Sequence, residues 1–119
     1  ALRRAEAIAP HDPRVLALRG RLGPQLSACF ARALEANRVL AAEQCLDAWQ
    51  RLAPAEAAVA NARTRLAERW LALGDERLGA DDLAFAREAL RHARQLDARV
   101  PGLARYAARL QAAEAARPR

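Results

Sequence analysis

Few residues in this chain combine the types and spacing that chemistry requires. Cys29 and Cys45 lie at equal distances from Asn37, so in an antiparallel helix pair turning at Asn37 they would face each other. Two states suit that pairing: a disulfide in an oxidising compartment, or two buried thiols acting as small apolar side chains. The sequence favours the thiols, because a second copy of the segment carries Leu73 and Ala89 at the matching positions, an ordinary large and small core pair. Neither His11 nor His92 has metal spacing to the cysteines, and two thiols alone make no zinc site, so neither metal nor cofactor is expected. His11 falls in a turn between Pro10 and Asp12, and His92 lies among Glu88, Arg91 and Arg94 on a helix; both are expected at the surface. Asp81-Asp82 is better explained by helix capping than by acid–base pairing. With no Gly-rich phosphate loop and no Ser or Cys nucleophile close to a His, an enzymatic role is not expected.

Arginine is the other candidate for chemistry. All 20 basic residues are Arg, set against 14 acidic ones, for a net charge of +6. That balance favours acidic partners without choosing among protein, nucleic acid and anionic lipid. The exclusive use of Arg resembles the codon usage of a GC-rich bacterium. Arg21, Arg65 and Arg109 recur at one spacing, since 65 − 21 and 109 − 65 are both 44, and Arg19 repeats as Arg63. Stacked repeats would align these guanidinium groups into a ladder able to grip carboxylates or phosphates with paired hydrogen bonds. The plainer expectation is a solvated, salt-bridged flank whose stems lie over apolar surface. Base stacking finds little support, because aromatics make up only 4% of the chain and fall mostly at core phases.

Helices must position these groups. A chain of 119 residues with 53% hydrophobic content can bury one continuous core. Its Ala, Leu, Arg and Glu lose little on entering a helix and argue against a sheet. The longest uncharged stretch, Leu22 to Ala31, is too short to cross a membrane. The N-terminus lacks the apolar core of a secretory signal, and a chain without Met reads as part of a longer protein, its compartment unspecified. The 44-residue offset aligns Ile8-Ala9-Pro10, Leu52-Ala53-Pro54 and Leu96-Asp97-Ala98, then Leu2 with Leu46 and Leu90, and Val15 with Val59 and Leu103. Apolar stripes at helical spacing run through Val15, Leu18, Leu22, Leu26 and Cys29, and through Val59, Ala62, Leu66, Trp70 and Leu73. Asp12-Pro13, Asn37 and Asp81-Asp82 supply caps, and Gly79 suits a helix end. Six helices are predicted over 1–9, 13–36, 38–53, 55–79, 82–97 and 101–116, stacked as antiparallel hairpins in one domain spanning 1–119. Its units are 1–12 (partial), 13–56, 57–100 and 101–119 (partial). Gly20, Gly23 and Pro24 predict a kink or a split in the first long helix.

Trp70-x-x-Leu73-Gly74, followed by Ala86, Leu90, Ala93 and Ala98, resembles the tetratricopeptide repeat over residues 67–100. Residues 23–56 resemble a more degenerate copy, with Leu26, Cys29, Phe30, Ala42, Leu46, Trp49 and Pro54 at the corresponding places. The period exceeds the roughly 34 residues usual in that family, the extra length falling at 13–22 and 57–66. The resemblance implies an all-α right-handed solenoid in which the Trp, Leu and Gly of each A helix pack on the B helix, with Ala86 facing Gly74. It also implies wider helix spacing at Phe30 and Trp49. For function it implies a protein-interaction scaffold that holds a peptide or partner domain on the A-helix face, where Ser27, Leu34, Leu71, Asp75 and Leu78 lie. With Arg21, Arg65 and Arg109 on the flank, these are the candidate partner-binding residues. The competing expectation is that the leucines of this face pack neighbouring helices together. Family members that grip a terminal carboxylate use Lys and Asn here, and Ser27, Ala31, Leu71 and Asp75 provide neither, so that mode is not expected. The alternative function is an Arg-faced domain binding nucleic acid or another polyanion. A third is self-association through the ends of the stack.

Overall fold

Asp and Asn residues mark several of the helix ends. The computed structural model describes residues 12–117. Among them are five helices and no strand: α1 (Pro13–Glu35), α2 (Val39–Leu52), α3 (Ala57–Gly79), α4 (Leu83–Leu96) and α5 (Leu103–Ala116). The helix predicted over 1–9 lies outside the described residues. α1 starts at Asp12, whose carboxylate accepts from the Arg14 amide at 2.7 Å, with Pro13 at the first helical position. Its end is closed by Asn37 in the left-handed region, φ 58°. The Asn37 and Arg38 amides donate back to the carbonyls of Leu34 and Ala33 at 3.0 and 2.8 Å, which satisfies acceptors the helix leaves open. α3 ends the same way: Asp81 has φ 64°, and the Asp81 and Asp82 amides donate to Leu78 and Arg77 at 3.0 and 2.8 Å.

The expected caps therefore divide their labour. Asp82 starts α4 by accepting from the Phe85 amide at 3.2 Å, whereas Asn37 and Asp81 close the preceding helices because Asn and Asp tolerate left-handed backbone. Gly79 is simply the last helical residue of α3. The two helix pairs have the same lengths and connections: α3 and α4 begin and end 44 residues after α1 and α2, by 57 − 13, 79 − 35, 83 − 39 and 96 − 52. Of the predicted kink or split near Gly23, the split is not present: α1 runs as one helix through Pro24. Proline there presses on the carbonyl one turn back, which belongs to Gly20.

The chain divides between Val59 and Ala60, in the first turn of α3, into two compact units. In the first, α1 and α2 form a hairpin around Phe30, Leu34, Val39, Ala42, Leu46, Trp49 and Leu52, all buried. The Phe30 and Trp49 rings meet at 6.3 Å. Cys29 and Cys45 are joined by a disulfide, which corrects the expectation of free thiols. Equal spacing from the turn brings their Cα atoms to 5.9 Å, inside the span a disulfide bridges.

In the second unit, α3 and α4 pack around Leu66, Ala67, Trp70, Leu83, Ala86, Ala89 and Ala93, and α5 adds Tyr106 and Leu110. Burying each of the large members contributes about 1.5–3 kcal/mol relative to exposure. Trp70 lies between Phe85 at 6.0 Å and His92, whose ring stacks on the indole at 4.2 Å and 14°. His92 is thus a packed residue with 16% of its side chain exposed, not the surface histidine that its Arg and Glu neighbours suggest. A Cβ placed on Gly74 would fall 2.1 Å from the Tyr106 Oη and 2.8 Å from the Ala89 Cβ. Glycine is therefore what lets the Tyr106 hydroxyl pass and donate to the Ala86 carbonyl at 2.7 Å. The side chain of α4 that faces Gly74 is Ala89, one turn beyond Ala86.

Candidate partner-binding cleft

Side by side in the second unit, α3 and α5 enclose a cleft of about 280 Å³. α3 contributes Glu68, Leu71, Ala72 and Asp75, spaced so that one helix face carries both carboxylates. α5 contributes Arg105, Tyr106 and Arg109, and the turn before it Pro101 and Gly102. Gly102 has φ 87°, a conformation that glycine adopts without strain and that turns the chain sharply into α5. One wall is thus acidic, the other basic, and the floor is apolar.

The two ends of the cleft differ. At one, Arg109 donates to Asp75 at 2.7 Å, both side chains about half exposed. Such an exposed pair adds little stability and serves mainly to fix the position of two opposite charges. Near it the Tyr106 hydroxyl is pushed up to about 12 by burial, the Asp75 carboxylate adding to the shift and Arg109 opposing it. The phenol donates to the Ala86 carbonyl. At the other end Glu68 and Arg105 are both exposed and present their charges to solvent.

The residues proposed from sequence separate in the structure. Leu71, Asp75 and Arg109 come together in this cleft. Leu78 is half-buried further along α3, and Arg65 is exposed outside the cleft lining. Ser27 is half-buried, Arg21 exposed and Leu34 buried, all three in the first unit. Leu71 and Leu34 have only 7% and 3% of their surface exposed, so each acts chiefly as a packing residue, with Leu71 forming floor. Arg63, from the repeated Arg set, is used structurally: its guanidinium donates to the carbonyls of Leu96 and Gln95 at the end of α4, both at 2.9 Å. Beside it the Thr64 hydroxyl donates to Asp97 at 2.7 Å. That bond, ahead of the Arg99 amide, holds the Asp97 carboxyl below its ordinary range.

Sequence reasoning missed Glu68, Ala72, Pro101, Gly102, Arg105 and Tyr106. Arg105 could have been found, since it precedes Arg109 by one helical turn and shares its face. The others depend on how α5 lies against α3, which no local pattern encodes. Of the five aromatics, Phe30, Trp49, Trp70 and Tyr106 are buried and Phe85 half-buried. The described residues contain no cluster of three or more potential metal ligands, and none of their helices is long and apolar enough to cross a membrane. Comparison with protein families, curated proteins and solved structures gives no match.

Proposed function

We infer that this chain is a helical-repeat module of tetratricopeptide-like architecture whose role is to hold another protein, with the α3–α5 cleft as the seat for a peptide segment. The cleft carries the reading: two opposed charged walls over an apolar floor suit an extended polypeptide, which offers both polar backbone and side chains of either sign. The repeat interpretation draws on the matched lengths of the two helix pairs and on the identical closures at Asn37 and Asp81. In a stack of such pairs, successive A helices line one surface and leave a groove between them. The resemblance at Trp70, Leu73, Gly74 and Ala86 points the same way.

The test is affinity capture with nuclease present, comparing the wild type with Arg105→Glu. Arg105 is exposed and outside the core, so the variant should fold. A discrete protein retained by the wild type and lost by the variant supports the reading. Recovery of nucleic acid alone before nuclease, and of nothing after it, would replace it with polyanion binding, whose affinity should fall steeply with salt.

A further inference from the structure

Among the described residues, the cysteine pair is a chemically reactive feature that the cleft leaves unused. The disulfide ties α1 to α2 across a sequence separation of 16 residues. Cys45 is buried and Cys29, one residue before the buried Phe30, is the more exposed of the two. The second hairpin has Leu73 and Ala89 at the corresponding positions and is closed without a covalent bond. There Arg63 holds the end of α4, Thr64 holds Asp97, and Tyr106 reaches Ala86. All of those contacts lie within residues 60–119, so the second unit has its own means of closure.

We propose that the Cys29–Cys45 bond is a redox lock confined to the first hairpin, setting how often α1 and α2 part while leaving α4 and α5 as they are. The reductant is a dithiol. One of its thiolates attacks a protein sulfur, most accessibly at Cys29, forming a mixed disulfide and releasing the Cys45 thiolate. The second thiolate of the reductant then displaces Cys29 and closes its own disulfide. Two electrons pass from the dithiol to the protein, and the two cysteines end protonated. The reduced thiols remain small and apolar enough for the packed interior, so the hairpin stays folded. What it loses is the constraint on a loop of this length, which makes its opening more frequent on the order of a hundredfold.

The experiment is amide hydrogen exchange on the full chain, oxidised and after dithiothreitol. Protection in α1 and α2 should fall on the order of a hundredfold on reduction, with α4 and α5 unchanged. A Cys29→Leu, Cys45→Ala variant, which copies the pair in the second hairpin, should show no response to the dithiol. Three results would overturn the proposal: equal exchange in α1 and α2 with and without the dithiol, an equal loss in α4 and α5, or a dithiol response in the Leu and Ala variant. So would alkylation of both cysteines in protein never exposed to reductant.

Discussion

Replacing Gly74 by Ala puts one methyl group into the tightest contact of the second unit. The added Cβ would lie 2.1 Å from the Tyr106 Oη, 2.8 Å from its Cζ and 2.8 Å from the Ala89 Cβ. The Ala89 carbon is fixed on α4, so Tyr106 must retract. Retraction breaks the hydroxyl bond to Ala86, a net loss of about 1 kcal/mol, and overpacking adds about 1–3 kcal/mol. Alanine's better helix propensity returns about 1 kcal/mol. The balance is a destabilisation of about 2 kcal/mol, enough to lower Tm by several degrees. Gly79, also on α3 but with open space around it, should respond oppositely, gaining up to about 1 kcal/mol on the same change. Urea unfolding followed by circular dichroism measures both, and Tyr106→Phe completes a double-mutant cycle with Gly74→Ala. Because Gly74 and Tyr106 touch, the cycle should be non-additive by more than about 0.5 kcal/mol. A Gly74→Ala protein as stable as the wild type, or strict additivity with Tyr106→Phe, would refute this packing.

Other outcomes follow from the same geometry. The chain has one tyrosine, so phenolate absorbance reports Tyr106 directly, and its midpoint should lie near 12 in place of the ordinary ~10. Since burial raises that value in the folded state, the associated stability is intact below about pH 10 and is lost as pH rises through the folded value. Arg63→Ala should cost about 1–2 kcal/mol in thermal unfolding, because the last carbonyls of α4 lose a charged donor. Thr64→Val should move the Asp97 carboxyl back up toward its ordinary range in a carbon-detected NMR titration. The stability that depends on this depressed value is present above the unfolded pKa and lost as pH falls through the folded one, and the Thr64 variant should show less of that acid dependence.

Helix positions were largely legible in the sequence, because caps and apolar periodicity are local signals. Asp12-Pro13, Asp82 and the two stripes place α1 to α4 to within about two residues at each end. The turns were half legible: Asn and Asp serve both as N-caps and as left-handed closures, so Asn37 and Asp81 could be located while their role could not. Gly20, Gly23 and Pro24 signalled a kink or a split, and only the split is excluded: an interior proline costs a hydrogen bond and crowds the carbonyl one turn back, but it does not by itself stop the helix, and α1 continues through it. Equal spacing from Asn37 showed that Cys29 and Cys45 face each other, but the choice between thiol and disulfide rested on a comparison with Leu73 and Ala89, and packing needs alone do not decide oxidation. His92 was misjudged because its sequence neighbours are charged, whereas the residue that covers it, Trp70, lies on the facing helix. The cleft was the least visible part. Asp75, Leu71 and Arg109 were named as partner-binding candidates from one helix face and its flank, but only the placement of α5 against α3 brings them together with Glu68 and Arg105.

The most direct measurement is the affinity of the captured partner for three proteins: the wild type, Arg105→Glu inside the cleft, and Arg38→Glu on the exposed turn of the first unit. Arg38→Glu removes the same charge from the whole molecule without touching the cleft. If the cleft holds the partner, Arg105→Glu weakens binding about tenfold or more, or ~1.4 kcal/mol, and Arg38→Glu leaves it unchanged. Equal weakening by both would show that the partner reads overall positive charge, and no effect of Arg105→Glu would show that it binds elsewhere; either result contradicts the cleft as the binding site.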